Sequence, residues 1–391
     1  MKKPFVKGGK ALTLAAALLC GAAFLGSFTA FGAAAQAESQ AGAQAEAQVF
    51  TPGVAGQITS CKISGDKQNV EIGFSSSGDV TGTDGNIYVF EMQPYEEELG
   101  SRSNFIASSP ALSAASVSVP LNLGTPQDKL YSRFVLAVFD GTKFIKVSQP
   151  HYITNPELIA KNQTPFNDPL TKKGLVIEID MLSDAFDLGV KHVTTNIAFS
   201  QIMGTGIDYQ YDGKTYHFNK GVVDAYDKTI SALSNKGMTV TVILLNDWNP
   251  NTPDLVYPGT QKNSNAFYYM FNAETEAGFD QTKAIASFLA QHYSGDNPNY
   301  GKVSNWIIGN EINNQQWNYM GPMDLTNYVK AYQKAFRVIY TAIKSTNAND
   351  RVYFSLDYNW MNEIDGKLKY GGKEIVDSFN SIANTQGQMD W

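Results

Sequence analysis

The feature that most constrains this chain is a repeated alternation, after Pro165, of short apolar runs with longer amphipathic segments. The apolar runs have the length of strands and are rich in β-branched residues, as in Met238–Asp247. The segments between them carry apolar residues every three or four positions, and in Asp324–Ser345 this spacing predicts a helix with one buried face. Strands that alternate with helices predict a parallel sheet, either open and doubly wound or closed into an eight-stranded barrel.

Five strands are predicted in this region, together with helices that follow them. The predicted strands are Gly174–Asp180, His192–Phe199, Met238–Asp247, Val303–Asn310 and Arg351–Trp360, and a sixth is predicted to begin at Met389–Trp391. The predicted helices are Gly221–Gly237, Asp280–Tyr293, Asp324–Ser345 and Gly372–Asn384.

Two observations favour the barrel over the open sheet. No glycine-rich phosphate-binding loop follows any of the predicted strands, so the sequence lacks the motif that is typical of nucleotide-binding open sheets. Polar residues also collect where the strands end, and a barrel gathers the carboxyl ends of its strands around one mouth. These residues are Asp180, Asn196, Asn246, Asp247, Asn310, Glu311, Asp357, Asn359 and Trp360. We therefore predict a TIM-type α/β barrel that is incomplete at the C-terminus and spans residues 165–391.

The region ahead of the barrel has a different texture. Residues 51–160 contain short β-branched and aromatic runs separated by turn sequences, which predicts a small all-β, sandwich-like accessory domain. Residues 38–50 are rich in Ala, Gln and Glu and are interpreted as a linker. Residues 1–37 combine a lysine-rich start, an apolar stretch and a small-residue cleavage site, which predicts a signal peptide and a secreted, extracellular protein. Its removal leaves Cys61 as the one cysteine, so no internal disulfide is expected.

The formal net charge of −7 argues against nucleic acid as a partner, and no second apolar segment is long enough to cross a membrane. Tyr, Phe and Trp make up 12% of the chain, which suits a surface that stacks on sugars. Three indoles near the predicted strand ends are candidates for such stacking: Trp248, Trp317 and Trp360. We also place Asn246, Asp247 and Asn359 among the candidate substrate-binding residues.

The run Trp306–Glu311, "WIIGNE", resembles the W-x-x-x-N-E strand end of the large clan of retaining β/α-barrel glycoside hydrolases. Over residues 51–391 the chain is also similar to a poorly characterised family of secreted bacterial proteins placed with those hydrolases. The resemblance implies that Glu311 is the acid/base and that Asn310 hydrogen-bonds the sugar 2-hydroxyl. It also implies a nucleophilic Glu at the end of a seventh strand, so we expect this chain to be a fragment, inactive alone, whose nucleophile lies beyond Trp391.

The chemistry of glycoside cleavage fits this arrangement. A carboxylic acid must protonate the leaving oxygen, and a second carboxylate must act on the other side of the anomeric carbon. A Glu at a barrel mouth, desolvated and close to another carboxylate, has a raised pKa and can donate a proton near neutrality. Asp247 or Asp357 is the alternative source of the second carboxylate.

Two other readings stay open. One is a non-catalytic carbohydrate-binding or cell-surface protein on a barrel scaffold, which would use the same aromatic residues. The other is a metal-dependent hydrolase, but the histidines form no HxH or HExxH pair. These histidines are His151, His192, His217 and His292. We predict a carbohydrate partner, with no metal and no cofactor.

Overall fold

The computed structural model describes residues 56–76, 82–361 and 366–391, which belong to one compact unit. The predicted signal peptide (1–37) and linker (38–50) lie outside the described residues. Within the described ranges, no helix combines the length and the apolar character that a bilayer-spanning segment requires.

The first part of the described chain consists of two antiparallel sheets. One has the strand order β1-β2-β5, and the other has the order β4-β3-β6-β7, with β8 pairing β6. The strands are β1 Gly56–Ile63, β2 Asn69–Ser76, β3 Asn86–Met92, β4 Ala107–Pro110, β5 Ala115–Pro120, β6 Arg133–Phe139, β7 Phe144–Lys146 and β8 His151–Tyr152. Ile72 and Phe74 of one sheet share a buried core with Val89 and Leu136 of the other. Antiparallel strands therefore occupy the region whose sequence predicted them. The sandwich-like accessory domain and its boundary near residues 160–165 stay predictions.

The second part is built on a five-stranded parallel sheet with the strand order β15-β14-β13-β10-β9. Its strands are short, as expected for strands that end in long loops. A separate hairpin consists of β11 and β12. The strands are β9 Gly174–Val176, β10 His192–Ala198, β11 Gly206–Tyr211, β12 Lys214–Asn219, β13 Thr239–Leu245, β14 Asn305–Ile308 and β15 Arg351–Tyr353.

Helices cover one face of the parallel sheet. They are α1 Leu182–Asp187, α2 Phe199–Ile202, α3 Lys220–Ser234, α4 Glu276–His292, α5 Leu325–Lys344 and α6 Gly372–Gln386. Val242 of β13 and Trp306 of β14 are fully buried in the same core as Leu289 of α4 and Phe336 of α5. Side chains that point to the opposite face, such as those of Asn196, Ile243 and Ile307, are less buried.

The parallel sheet is open in the part of the chain that the structure describes, because β9 and β15 are its two edges. A parallel α/β sheet is therefore shown, and the closed eight-stranded barrel is not formed by these residues. The bounds of α3, α5 and α6 follow the predicted periodicity closely, and side chains cap the first turns of α3, α4 and α5. Asp324, for example, accepts a hydrogen bond from the Asn327 amide at 3.0 Å at the start of α5.

Three predicted strands are shorter than expected, and one is absent. The strand predicted at Val303–Asn310 covers only Asn305–Ile308. The strand predicted at Gly174–Asp180 ends at Val176, and the one predicted at Arg351–Trp360 ends at Tyr353. Met389–Trp391 is not a strand. The Trp391 ring instead stacks on that of Phe354, with ring centroids 4.7 Å apart, so aromatic packing rather than sheet pairing places this segment.

The hairpin β11–β12 was not predicted, although the sequence carries its signal. Asp212 and Gly213 both have positive φ angles, 51° and 71°, as a two-residue hairpin turn requires. Polar and apolar residues alternate on both sides of this Asp-Gly pair. The Tyr209 ring packs edge-on against Phe288 of α4, with centroids 5.4 Å apart. This contact packs the hairpin against the helices.

Candidate active site

Glu311 lies three residues beyond the end of β14, the fourth parallel strand in chain order, at the carboxyl edge of the sheet. The chain turns sharply here, because Gly309 and Glu311 have φ angles of 74° and 43°. A left-handed backbone is disfavoured for a residue with a side chain and costs on the order of 1–2 kcal/mol. Two hydrogen bonds to Ser355 stabilise this turn. The Glu311 amide donates to Ser355 Oγ at 2.9 Å, and the Ile312 amide donates to the Ser355 carbonyl at 3.0 Å.

The Glu311 carboxyl is half-buried, and its environment favours the protonated form. Burial raises the pKa of Glu311, and the negative charge of Asp357 raises it further. A carboxyl group with a raised pKa can carry a proton at a pH where ordinary carboxyl groups are ionised, and general acids in enzymes have this property.

Asp357, in the loop after β15, is held in the ionised form. Its partial burial alone would raise its pKa, but hydrogen bonds from Asn313 and Asn359 lower the pKa of Asp357 below its usual range. Asn313 Nδ2 donates to Asp357 Oδ1 at 2.5 Å, and the Asn359 amide and Nδ2 donate to Oδ1 and Oδ2 at 2.8 and 3.0 Å. Two neighbouring carboxyl groups thus have pKa values shifted in opposite directions, which is the usual mark of an acid paired with an anion.

Asn310 lies beside this pair. Ser355 Oγ donates to Asn310 Oδ1 at 3.4 Å, so one hydroxyl group contacts both Asn310 and the Glu311 amide. The structure therefore brings the predicted Asn310, Glu311, Asp357 and Asn359 together at the ends of β14 and β15.

Asp247, at the end of β13, is a third carboxyl group at the same edge of the sheet. Burial raises the pKa of Asp247, while the hydrogen bond from Gln201 opposes this. Gln201 Nε2 donates to Asp247 Oδ2 at 2.6 Å, and the Asp247 amide donates to Ser200 Oγ at 3.2 Å. The charge of Asp247 also affects Tyr268: burial raises the pKa of Tyr268, and the negative charge of Asp247 raises it further.

Asn246 is placed differently from the other candidate residues. It is fully buried, and its Nδ2 donates to the Leu255 carbonyl at 2.8 Å. Its own carbonyl accepts the Tyr269 amide at 2.8 Å. Asn246 thus fixes the loop between β13 and α4 from a position without solvent exposure. Asp180, in a short helical turn four residues beyond β9, and Asn196, within β10, are exposed.

The three candidate indoles have distinct surroundings. Trp317 stacks on Phe267, with ring centroids 4.7 Å apart. Phe267 is 50% exposed and Trp317 is half-buried, so Phe267 is the more accessible of the two rings. Trp360, 49% exposed, lies over Gly372, where an added Cβ would be 3.1 Å from Trp360 Cε3. Trp248 is half-buried beside Tyr269, with centroids 5.3 Å apart.

Sequence reasoning missed several residues that build this site: Ser355, Asn313, Gln201 and Phe267. Ser355 and Asn313 lie in loops that follow β15 and β14, close to predicted site residues. Their roles depend on contacts between chain segments more than forty residues apart, which spacing along the chain does not reveal.

Within the ranges that the structure describes, no group of three or more His, Cys, Asp or Glu side chains could hold a metal ion. The histidines are dispersed. His292 Nε2 lies 2.8 Å from Asp227 Oδ1, and His217 Nδ1 lies 2.8 Å from Asp208 Oδ1.

Residues 165–391 match the sequence model of a family described as a family of unknown function, DUF5722. The chain belongs to this family. The match covers the parallel-sheet part and includes every candidate site residue from Asn246 to Trp360. No curated protein matches the chain.

Among solved structures, the chain is similar to glycoside hydrolases. A family 1 β-glucosidase from Thermotoga maritima has 16% identity and a TM-score of 0.30, with 53% of this chain and 41% of that chain covered. A family 39 glycoside hydrolase from Bacteroides cellulosilyticus WH2 has 15% identity and a TM-score of 0.28, with 77% of this chain and 49% of that chain covered. The chain thus spans half or less of these proteins' length.

Proposed function

We propose that this protein is a secreted glycoside hydrolase that acts on a poly- or oligosaccharide, with Glu311 as its general acid. The observation that carries the proposal is a pair of carboxyl groups, after the ends of β14 and β15, whose pKa values are shifted in opposite directions. The pKa of Glu311 is raised by burial and by Asp357, and hydrogen bonds keep Asp357 ionised. The resemblance of "WIIGNE" to the acid/base strand end of barrel glycosidases supports the same role for Glu311.

The proposed reaction begins with proton transfer. Glu311 donates its proton to the glycosidic oxygen as the bond to the anomeric carbon breaks, and positive charge develops on the sugar ring. Asn310, adjacent to Glu311, hydrogen-bonds the 2-hydroxyl of the same sugar, a contact that strengthens as this charge develops. In a retaining mechanism Glu311 then accepts a proton from water and is returned to its acid form.

The second carboxylate of this mechanism must face the anomeric carbon from the other side. Asp357 is poorly suited to this task, because three hydrogen bonds occupy its oxygens within its own loop. Its proposed role is to keep Glu311 protonated. Asp247 is the alternative candidate for this second carboxylate. It is half-buried at the end of β13, the strand next to β14, and its pKa is raised.

The test compares the protein as its gene encodes it with its Glu311→Gln variant on a panel of aryl glycosides and polysaccharides. Gln keeps the size of Glu but cannot donate a proton, so release of reducing ends should fall by a factor of about 10²–10⁴. Aryl glycosides with acidic leaving groups need less protonation and should lose less activity. Equal activity of the two proteins would contradict the role of Glu311.

A non-catalytic carbohydrate-binding protein is the second candidate function, favoured by the open ring of Phe267 stacked on Trp317. The same variant distinguishes the two functions. A binding protein shows no turnover in either form, and Glu311→Gln leaves its saccharide affinity unchanged.

A further inference from the structure

The loop between β13 and α4 forms a cavity that is open to solvent on one side, and Glu311 is not among the residues that line it. Its volume is about 360 Å³, at the small end of the range of about 300–1,000 Å³ typical of ligand sites, and it suits a mono- or disaccharide. A larger cavity of about 980 Å³ lies at the opposite end of the sheet, near Asp350 and Arg351 at the start of β15. Glu311 lines neither of these two cavities.

The walls of the smaller cavity are fixed by hydrogen bonds within the protein. Asn272 Nδ2 donates to the Asp254 carbonyl at 2.8 Å and to Thr275 Oγ1 at 2.9 Å. Thr260 Oγ1 donates to the carbonyl of Met320, in the loop that follows Glu311, at 3.2 Å. A Cβ at Gly278 would lie 2.1 Å from Asn272 Nδ2, so this glycine makes the space that the Asn272 side chain occupies. The cavity is therefore preformed, which lowers the entropic cost of binding.

The chemistry of the lining matches a sugar. Trp248 and Tyr257 provide aromatic walls for the C–H faces of a ring, and Asp254 and Gln261 provide hydrogen-bonding groups for hydroxyls. Among the lining residues, all within the described ranges, there is no Lys, Arg or His. An anionic sugar would therefore find a carboxylate at Asp254 and no positive charge to offset its own.

The cavity lies beside the candidate active site. Trp248 directly follows Asp247, and its ring packs on Tyr269, which in turn packs edge-on against Tyr319 with centroids 5.7 Å apart. Tyr319 belongs to the loop that begins at Glu311, and its amide donates to the Tyr268 carbonyl at 2.9 Å. The loops after β13 and β14 are thus joined, with the cavity on the β13 side and Glu311 on the β14 side.

We propose that this cavity binds an uncharged sugar unit of the saccharide whose bond Glu311 cleaves, at a position remote from the cleaved bond. The proposal rests on the proposed function and narrows it: the substrate is an oligosaccharide or polysaccharide of neutral sugars, and a uronic-acid polymer is excluded. Trp248 supplies the stacking surface, and Asp254 accepts hydrogen bonds from sugar hydroxyls.

The experiment measures affinity by calorimetry in the Glu311→Gln background, in which turnover is removed and binding is retained. Ligands are neutral gluco-, manno-, galacto- and xylo-oligosaccharides, with oligogalacturonate as the anionic comparison. At least one neutral ligand should bind, and Trp248→Ala should weaken that binding tenfold or more, while Trp248→Phe retains most of it. Phe105→Ala, which removes a 44% exposed ring in the β-rich part, is the matched control and should change nothing.

A charge reversal sharpens the test. Asp254→Lys should weaken binding of the neutral ligand and allow oligogalacturonate to bind, because the lining then carries a cation. The proposal is overturned if no neutral saccharide binds, if Trp248→Ala binds as tightly as its parent, or if oligogalacturonate binds the parent as well as the neutral ligands do. Trp248-dependent binding without any turnover by the unsubstituted protein would contradict the proposed hydrolase and leave the cavity assignment standing.

Discussion

Asn313 and Asp357 form a reciprocal pair: Asn313 Nδ2 donates to Asp357 Oδ1 at 2.5 Å, and the Asp357 amide donates to Asn313 Oδ1 at 2.8 Å. This pair joins the loop that carries Glu311 to the loop after β15. It also places the anion that raises the pKa of Glu311.

Removing this pair should destabilise the protein. Asn313 is 1% exposed, and Asn313→Ala leaves the Asp357 amide and carboxylate without these partners, at a cost of about 1–3 kcal/mol. Urea unfolding of the variant measures this loss. Gln316→Ala, an exposed amide in the same loop, is the control and should unfold within roughly 0.5 kcal/mol of the parent.

Replacing Asp357 with Asn should shift the pH dependence of hydrolysis. Glu311 acts as an acid when protonated, so kcat/KM falls as pH rises through its pKa. The charge of Asp357 raises that pKa, and its removal lowers the pKa, so the alkaline limb of the profile moves to lower pH. Asp377→Asn makes the same change of charge on the exposed side of α6 and should leave the limb in place. An unshifted limb in Asp357→Asn would show that Asp357 does not set the acidity of Glu311.

The backbone at Glu311 predicts an inverted order of stability for two small substitutions. At a φ of 43°, Gly is unstrained and Ala is not, so Glu311→Gly should be more stable than Glu311→Ala by about 1 kcal/mol. Both variants lack the carboxyl group and should be equally inactive. At Ser345, where φ is −71°, Ala should be the more stable of the two. Thermal unfolding of the four proteins checks both orders, and a more stable Glu311→Ala would contradict the strain.

Lys334 of α5 should be a major electrostatic contributor to stability. Its Nζ lies 2.9 Å from Glu97 Oε1 and 2.5 Å from Glu274 Oε2, and its side chain is 4% exposed. Lys334→Met should lower the free energy of unfolding by about 1–3 kcal/mol, less than for a fully buried pair because both acids stay partly solvated. Lys330→Met, at an exposed position 3.6 Å from Glu97, is the control and should cost less than about 0.5 kcal/mol.

The same ion pair gives a pH signature. Burial alone would raise the pKa of Glu97, but the hydrogen bond and charge of Lys334, with smaller contributions from Arg133 and Lys330, lower it from 4.5 to about 2. A lowered folded-state pKa means that this stabilisation is present above about pH 4.5 and is lost as pH falls towards 2. Unfolding of Lys334→Met should therefore depend less on pH in this window than unfolding of the parent, and equal slopes would contradict the assignment.

The sequence predicted those parts of the molecule that depend on local periodicity. The helix at Leu325–Lys344 and the strand at Thr239–Leu245 agree with the spacing of their apolar residues to within about two positions. Glu311 and Asp357 were expected near one another because polar residues that follow buried strands meet at one edge of a parallel sheet. The acid/base role of Glu311 came from the resemblance of its strand end to barrel glycosidases and stays a prediction. The end of β15 was missed because the loop after it is held by side-chain bonds rather than by sheet pairing: the Asn359 amide, for example, donates to Asp357 Oδ1 at 2.8 Å.

The contacts made by Lys334 bear on how this protein could be re-engineered. Glu97 belongs to the β-rich part, whereas Glu274 lies two residues before α4, in the loop that forms the smaller cavity. The Lys334 ammonium group therefore connects the β-rich part to this loop. Transplanting the parallel-sheet part into a chimera would leave that cation short of a counter-ion, and any replacement module would have to supply an acid at the same place.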